Sequence, residues 1–460
     1  MEILNLLSIS IDVYGQTFDV YLNWIGKIIR ALIGIGSVGV GIILFSLILK
    51  VIVMPFDIYQ RISMRKQNIK MKENKDKMER LQKQYANNKE LYNQKLMEMY
   101  KESGISMFSS CLPMILSMVI FIVAIGAFNA FAQYSNIENY NMLVDSYNAS
   151  IEADCAVINE ENIRFENGNI IVEEDGKIIY ISVSSNEVSD ASTKAELIAK
   201  ITETSKNKRN YYIDKEQAMA VSEISEYVAN AAEGTEEDKA IEQYFIDRAH
   251  AAVKATYESD NFQKKTKFIW IKNIWVTDAS FKHPVLGYDD FSKEVAQEEF
   301  FIDGNKVSLT EVDKYTNAYQ KEAYDQITAG LSEYKTTANG WYILVALSIG
   351  TILLQQFITM RSQKEQQQFS SVDGQGASQQ KMMMIIMTGM FAIFSFIYSS
   401  AFSIYLITSN VFSLLSTLII NKLVDRSMEK KEALALQEKH NQRFPGRKYV
   451  KKDENERKKK

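Results

Sequence analysis

The sequence predicts an all-α polytopic membrane protein, in which five spanning helices form a core and a small extracellular α/β domain is inserted between spans two and three. Three observations support this fold class. Five long apolar blocks lie near the two ends of the 460-residue chain, a polar acidic block fills its middle, and basic residues collect beside the apolar blocks. A helix that crosses about 30 Å of hydrocarbon needs roughly 20 mostly apolar residues.

The predicted segments follow the chain in order: an extracellular N-terminus with an interfacial amphipathic helix (1–37), span 1 (38–54), a cytoplasmic helical hairpin (55–106), span 2 (107–132), the extracellular inserted domain and a membrane-surface segment (133–340), span 3 (341–358), a cytoplasmic loop (359–381), span 4 (382–398), span 5 (401–420) and a basic cytoplasmic tail (421–460). A buried helix of a soluble core is the alternative for any one block, but blocks this long and this poor in charge are typical of spans. Only Ser399 and Ser400 separate the last two spans, which predicts a tight helical hairpin.

The segment 21–34 precedes the first span and is amphipathic. Its apolar residues recur at helical spacing, with Lys27 and Arg30 on the other side: Trp24, Ile25, Ile28, Ile29 and Leu32. We expect a short helix on the outer membrane surface. A continuation of span 1 is the alternative, but the glycines at positions 34, 36, 39 and 41 favour a joint.

The polar segments carry their own signals. Good helix formers run from Asp57 to Tyr85, stop at Asn87-Asn88 and resume to Tyr100, which predicts two antiparallel helices. In the acidic middle block, residues 164–183 alternate as strands do, with turn signals at 167–168 and 175–176. Helices are expected over 191–205, 215–232, 236–257 and 313–334, and the aromatic segment 267–288 is expected to return to the membrane surface.

The charge distribution predicts the orientation. Lysine and arginine collect in short segments that stay in the cytoplasm. Segment 55–106 holds twelve of them against seven acids, and the tail after Ile420 holds fourteen against seven. The block 134–338 holds 21 against 38, a net charge of −17. We therefore expect the N-terminus and the acidic block outside and the C-terminus in the cytoplasm, which an odd number of spans allows.

Lys50 lies two thirds of the way along span 1, in FSLILKVIVMPF. A charged side chain at the bilayer centre costs about 2.5–3.5 kcal/mol on insertion scales, and such residues usually face a bundle interior or a water-filled cavity. The alternative is that the long stem carries the ammonium to the cytoplasmic headgroups. Position alone favours neither.

Polar residues in the spans favour the cavity. They are Ser46, one turn from Lys50, together with Ser117, Gln355, Gln356, Thr388, Tyr405, Ser409 and Asn410. Hydroxyl groups alone are common in helix packing, but a lysine accompanied by asparagine, tyrosine and glutamine exceeds what packing requires. The pattern predicts a polar, hydrated groove that opens toward the cytoplasm.

The sequence contains no recognisable motif for catalysis, phosphate binding or metal binding. It contains no nucleophile–His–acid set, no HExxH, no glycine-rich phosphate loop and no acidic residue within the spans. Three histidines and two cysteines without ligand spacing give a zinc site little support. We therefore expect no enzymatic activity, no cofactor and no metal.

Several segments, in this order, resemble the YidC/Oxa/Alb family of membrane protein insertases in its Gram-positive-like form. The family's surface helix and first span are similar to KIIRALIGIGSVGVGIILFSLILKVIVMPF, and its cytoplasmic hairpin and second span to IKMKENKDKMERLQKQYANNKELYNQKLMEMYKESGISMFSSCLPMILSMVIF. Its outer segment before the third span resembles FIWIKNIWVTDASF, and its last two spans resemble QQKMMMIIMTGMFAIFSF and AFSIYLITSNVFSLLSTLI. The resemblance covers about half of the chain.

The resemblance implies a five-helix core around a groove that is open to the cytoplasm and the lipid and closed outside. Lys50 would occupy the position of the family's single groove arginine, which attracts acidic outer segments of substrates. Lysine retains the positive charge but cannot form the two parallel hydrogen bonds that an arginine guanidinium makes to a carboxylate. The implied location is the bacterial cell membrane. The implied partners are nascent membrane proteins and the lipid bilayer, with the ribosome through the basic tail and the Sec translocon as further candidates.

The chain also departs from this family. Ser117-Met118-Val119 stands where members have Gln-Met-Pro, Ser399-Ser400-Ala401 stands where they have Pro-Ala-Gly, and the outside block is far longer than in Gram-positive-type members. The main prediction is an insertase that receives hydrophobic segments in the groove and releases them laterally into the bilayer. The alternative is a membrane-anchored extracellular binding protein whose spans are only an anchor; a transporter or channel is a third interpretation.

Overall fold

A computed structural model of the chain describes residues 8–34, 36–103, 108–153, 156–157, 163–166, 169–174, 177–182, 209–302, 304–362 and 375–443. The chain divides into two compact units. The first, here called the α/β unit, comprises Met1–Ile42, Ile125–Val345 and Ser395–Ile404; the second, here called the helical unit, comprises Ile43–Ala124, Ala346–Phe394 and Tyr405–Lys460.

Helices make up most of the described chain. In order they are α1 (Trp24–Ile33), α2 (Val38–Glu73), α3 (Lys75–Gln84), α4 (Lys89–Glu102), α5 (Phe108–Glu152), α6 (Lys215–Ala220), α7 (Ser222–Ala229), α8 (Glu237–Glu258), α9 (Asp260–Thr266), α10 (Tyr288–Val295), α11 (Leu309–Val312), α12 (Lys321–Ile327), α13 (Ile343–Ser362), α14 (Gln375–Ile397) and α15 (Ser400–Arg443). The strands are β1 (Ser8–Val13), β2 (Ala156–Val157), β3 (Ile163–Glu166), β4 (Asn169–Glu174), β5 (Lys177–Ser182), β6 (Arg209–Asp214), β7 (Phe300–Ile302) and β8 (Asn305–Val307).

The apolar helices match the predicted spans in order. Within the described residues, three helical segments are long and apolar enough to cross a membrane, Val38–Tyr59, Val119–Glu152 and Ser400–Ile420, and two shorter apolar ones are Ile343–Ile358 and Thr388–Ile397. The chain is therefore a mostly helical, multi-pass membrane protein. That the five form one core stays a prediction.

Three of these helices continue beyond the predicted spans. Helix α2 passes through Pro55 to Glu73, α5 runs on past Ala132 to Glu152, and α15 reaches Arg443. The extensions are rich in polar residues that still favour helix, so the change in hydrophobicity marks where an apolar stretch ends and not where the helix ends.

The α/β unit contains small antiparallel sheets. One has the strand order β1-β6-β2, with Ser8 opposite Asp214 and Ala156 opposite Tyr212. A second has the order β3-β4-β5, as the alternation of residues 164–183 predicts, and its two predicted turns lie outside the described residues. The predicted helix over 191–205 also lies outside them. Strand β1 is new: the N-terminal segment was expected to hold only the amphipathic helix.

The core of the α/β unit forms around the extension of α5. Tyr140 lies 4.7 Å from the ring of Phe291 on α10 and 5.0 Å from that of Tyr324 on α12, and these two rings stack at 4.4 Å. Helix α8 buries Phe245 and Val253 on one face. Aromatic pairs at these distances add stability beyond the area that they bury.

The predicted helix 313–334 is wrong. The structure has α11, α12 and a 3₁₀ turn at Ala329–Leu331 instead. One long-range and one local hydrogen bond explain the break. The Asn317 carboxamide oxygen accepts a hydrogen bond from the Gly15 amide at 2.8 Å, and the Thr316 hydroxyl accepts one from the Ala318 amide at 3.1 Å. Side chains that bond to the backbone in this way compete with helix.

The joint between α1 and the first apolar helix forms as the glycines predict. Gly36 has φ +102°, in the left-handed region that glycine adopts at least cost. A Cβ at Gly41 would lie 2.6 Å from the Ile33 Cα atom, so the end of α1 packs directly on the start of α2. Helix α1 buries Ile29 and leaves Trp24 and Ile28 exposed, as an amphipathic helix does.

The predicted break in the polar hairpin is confirmed. Helix α3 ends at Gln84, and Asn88 caps α4 by accepting a hydrogen bond from the Leu91 amide at 3.1 Å. The two helices pack through a buried cluster of Met78, Tyr92, Leu96, Met99 and Tyr100.

Candidate functional site

Lys50 is half-buried on α2, in an otherwise apolar stretch of the helical unit. Ser46, one turn earlier on the same helix, is fully buried. Asp57, two turns later, is near enough to act electrostatically on the Lys50 ammonium. The lysine therefore lies between a buried hydroxyl and a carboxylate on one helix.

The predicted polar residues of the last three apolar helices form pairs. The Thr388 hydroxyl on α14 donates a hydrogen bond to the Gln356 side-chain oxygen on α13 at 2.8 Å. The Asn410 amide on α15 lies 3.5 Å from the Thr351 hydroxyl on α13, and the side chains of Tyr405 and Ser409 hydrogen-bond each other. The first two contacts connect α13 to α14 and to α15, as polar pairs do in lipid.

The structure brings some predicted site residues together and leaves others apart. Gln355 is half-buried on α13, beside the pair of Gln356 and Thr388. Lys50 takes part in none of the polar pairs described above. Ser117 lies on α5, but its side chain lies outside the described part of the chain. Thr351 is a residue that sequence reasoning missed, although its spacing of four from Gln355 places both on one side of α13.

A second polar group lies in the α/β unit and was not predicted. Asp278 is 1% exposed, and its carboxylate accepts hydrogen bonds from the amides of Trp341 (2.7 Å), Tyr342 (3.2 Å) and Leu344 (2.6 Å). These are amides at the start of α13, which lack partners within the helix. The negative charge also suits the positive end of the helix dipole. Asp278 therefore caps an apolar helix from 63 or more residues away.

Asn339 completes this group, which we call the asparagine–aspartate network: Asn273, Asp278 and Asn339. Asn339 is fully buried; its amide donates to the carbonyls of Asn273 (2.9 Å) and Thr277 (3.0 Å), and its oxygen accepts from the Asn273 amide (2.7 Å). The Asn273 side chain in turn donates to the Pro284 carbonyl at 2.8 Å. These hydrogen bonds connect the two ends of segment 273–284 to each other and the segment to Asn339.

The same loop holds the turn between α14 and α15. The Ser400 amide donates to the Val276 carbonyl at 3.0 Å and the Ala401 amide to the Ile274 carbonyl at 2.9 Å. The Thr277 hydroxyl donates to the Tyr398 carbonyl at 3.1 Å. The turn is as tight as Ser399-Ser400 predicts, since α14 ends at Ile397 and α15 begins at Ser400. One loop thus joins the beginnings of α13 and α15.

Two glutamates next to this region make the stability of the α/β unit depend on pH. Burial raises the pKa of Glu294 to about 8, although a hydrogen bond from the Asn136 side-chain amide acts in the opposite direction and lowers it. Burial also raises the pKa of Glu298 to about 7. In the unfolded chain both ionise near pH 4.3. Between about pH 5 and pH 8 the folded state therefore holds protons that the unfolded state has lost, and stability falls as pH rises through this window.

We expect the melting temperature of the purified chain to fall by a few degrees between pH 5 and pH 8. Near-ultraviolet circular dichroism measures this temperature. Glu294→Gln should flatten this profile, because the amide mimics the protonated acid. The exposed Glu233→Gln is the matched control and should leave the profile unchanged. A profile for Glu294→Gln as steep as that of the parent chain contradicts the assignment.

Known membrane proteins are similar to this chain in sequence. The family model described as 60Kd inner membrane protein matches residues 29–155 and 254–429, well over half of the chain. The similar proteins include several that are named membrane protein insertase YidC, three of which are described here. The protein of Caldanaerobacter subterraneus is 36% identical over 86 residues (19% of this chain, 40% of the relative), that of Clostridium tetani 39% over 93 residues (20% and 40%), and that of Fusobacterium nucleatum 30% over 92 residues (20% and 43%). The chain thus spans about two fifths of the length of these relatives, and no solved structure gives a significant match.

Proposed function

Because the chain belongs to the 60Kd inner membrane protein family, the family of its YidC relatives, we propose that it is a membrane protein insertase of the bacterial cell membrane. Its clients are nascent membrane proteins, which it delivers to the lipid bilayer. The name that the relatives carry supports this function, and so does the series of apolar helices.

The observation that carries the mechanism is the half-buried Lys50, one turn from the fully buried Ser46, in an otherwise apolar stretch of α2. A cation in such a helix is costly unless water or partner groups surround it. We propose that Lys50 faces a hydrophilic groove, which the polar residues on α13, α14 and α15 help to line. An acidic client segment would be drawn to the ammonium, and its hydrophobic helix would then leave the groove sideways into lipid.

The core, its orientation and its partners belong to the same proposal. The five apolar helices would form one core, with the N-terminus and the acidic block outside and the basic segments inside, because lysine and arginine are retained in the cytoplasm. The small α/β domain would then be extracellular. The basic end of the tail, which lies outside the described residues, would contact the ribosome, and the Sec translocon is a further proposed partner.

A second candidate function is that of an anchored extracellular binding protein. It is favoured by the α/β unit, which has a buried core of its own and three sheets among the described residues. The two functions make different demands, because an anchored receptor needs the α/β unit for activity and an insertase needs the apolar helices.

A deletion designed from the strand pairing distinguishes the two candidate functions. Val157 pairs with Tyr211 in adjacent antiparallel strands, so residues 158–208 can be replaced by a short Gly/Ser loop that closes β2 onto β6. This removes the sheet β3-β4-β5 and keeps β1 paired. We expect the shortened chain, reconstituted into proteoliposomes, to insert a small single-span client at more than half of the full rate, measured by protease protection.

Empty liposomes give the background for this assay. Insertion at background level by the full chain, over a panel of small clients, would overturn the insertase proposal. Loss of insertion in the shortened chain alone would show that the block 158–208 takes part in insertion and would contradict the expectation that the apolar helices suffice.

A further inference from the structure

Residues 268–271 form a tight turn of apolar side chains in the α/β unit. The Phe268 amide donates a hydrogen bond to the Ile271 carbonyl at 3.1 Å, and the Ile271 amide donates one to the Phe268 carbonyl at 2.9 Å. This pairing leaves Ile269 and Trp270 as the two central residues of a hairpin turn. Ile269 is 66% exposed, so the tip of the turn presents an aliphatic side chain outward.

The backbone at the tip is unfavourable for isoleucine. Ile269 has φ +54°, in the left-handed region, which a β-branched residue rarely adopts and which glycine adopts at little cost. A side chain this exposed gains little from burial within the protein to offset the strain. The isoleucine therefore suits a contact outside the chain better than it suits the fold.

The turn lies where two apolar helices begin. A Cβ at Gly39, in the first turn of α2, would collide with the Phe268 ring, and a Cβ at Gly340, just before α13, would lie 2.9 Å from the Ile271 Cδ1 atom. Because the apolar stretches of α2 and α13 begin beside these glycines, the turn lies at the boundary between hydrocarbon and headgroups. Tryptophan is enriched at this boundary, and the exposed Trp341 lies at the same helix start.

The charges beside the turn favour an anionic partner. The stretch 264–272 contains four lysines and no acidic residue, within the block 134–338 of net charge −17. Lys267 and Lys272 directly flank the turn, and neither forms an ion pair with another described residue. Lysines at a membrane surface are attracted to anionic headgroups. An acidic protein segment would use the lysines but not the aliphatic tip, whereas an anionic lipid fits both features.

We propose that the turn 268–271 and its two flanking lysines form a binding site for anionic phospholipids. The Ile269 tip enters the leaflet next to the α/β unit, and Lys267 and Lys272 bind lipid phosphate groups there. The site fixes the depth of the α/β unit against the bilayer. It requires a chain that spans the membrane but does not depend on the insertase activity, so either proposal can fail without the other.

The depth of the tip is tested with the full chain in lipid nanodiscs. An NBD fluorophore is attached to Ile269→Cys, in a background that carries Cys111→Ser and Cys155→Ser. A 5-doxyl phospholipid, whose quencher lies just below the headgroups, should quench this label at least about twofold more than it quenches the same label on Asn230→Cys. Asn230 is exposed at the end of α7 and is the matched control site.

The lipid preference is tested in nanodiscs of phosphatidylglycerol and phosphatidylcholine. A lysine near an anionic surface contributes roughly a factor of five, so 5-doxyl phosphatidylglycerol should quench the tip label at least about threefold more than 5-doxyl phosphatidylcholine. Lys267→Gln combined with Lys272→Gln should abolish this preference. Lys239→Gln combined with Lys254→Gln makes an equal change of charge at exposed sites and should preserve it.

Equal quenching at positions 269 and 230 would overturn the proposal, because the tip would then lie in water or contact another protein. Equal quenching by the two lipids, or a preference that survives the loss of both flanking lysines, would also overturn it. Ile269→Gly is an independent check and should leave the melting temperature unchanged or raise it, because glycine suits φ +54°. A lower melting temperature would show that the isoleucine is retained for folding and would contradict the proposal.

Discussion

Replacing Lys50 with alanine is expected to reduce the insertion of clients with acidic outer segments at least tenfold. Two unit charges about 4 Å apart attract each other by about 4 kcal/mol at the effective dielectric near a protein surface. Each 1.4 kcal/mol corresponds to a factor of ten, so even a third of this attraction gives the expected loss. Lys50→Arg keeps the charge and should retain most of the activity.

The measurement is a double-mutant cycle in proteoliposomes. Each Lys50 variant is tested with an acidic single-span client and with the same client after its aspartates and glutamates are changed to asparagine and glutamine. The neutral client should insert at a rate that depends little on residue 50. Exposed Lys66→Ala on the same helix is the matched control. A loss at Lys50→Ala that is equal for both clients would mean that the lysine stabilises the helices and does not attract the client.

Much of the fold follows from local patterns. The apolar helices, the hairpin break before Asn88 and the tight turn at Ser399-Ser400 depend on residues close together in sequence, and hydrophobicity, capping and turn chemistry predict them. The strands of residues 164–183 follow from alternation in the same way. Helix ends were less predictable, as α2 and α5 show, because a helix continues wherever the following residues still favour it.

Long-range pairings were the features that the sequence did not reveal. Strand β1 pairs with β6 about 200 residues later, and six residues of SISIDV give no signal that such a partner exists. The candidate site was likewise predictable only in part, because local patterns identify its residues but not their partners. Gln356 and Thr388 were predicted as polar groove residues and do contact each other, but which residue each one meets follows from packing, and Thr351 was missed because a threonine within a span is ordinary.

Asp278→Ala is expected to have the largest effect on stability, a loss of about 3 kcal/mol or more. The carboxylate is buried and accepts from three backbone amides at the start of α13. Hydrogen bonds to a charged group are each worth about 1.5–3 kcal/mol, and donors left unpaired and buried add to the loss. The carboxylate also packs closely on the backbone of Gly340, since a Cβ at this position would collide with it.

The loss should concentrate in one region, and this makes the prediction specific. Because the loop after Asn273 also holds the Ser400 end of α15, Asp278→Ala should expose residues 273–284 to limited proteolysis before the rest of the α/β unit unfolds. Asp278→Asn retains one acceptor oxygen and should lose about half as much, while exposed Asp289→Ala should lose less than about 0.5 kcal/mol. Equal melting temperatures for Asp278→Ala and Asp289→Ala would show that water replaces the carboxylate and that α13 does not depend on this cap. If instead Asp278→Ala lowers the stability most, Asp278→Asn less and Asp289→Ala least, the buried Asp278 carboxylate is what connects the loop 273–284 to the first turn of α13.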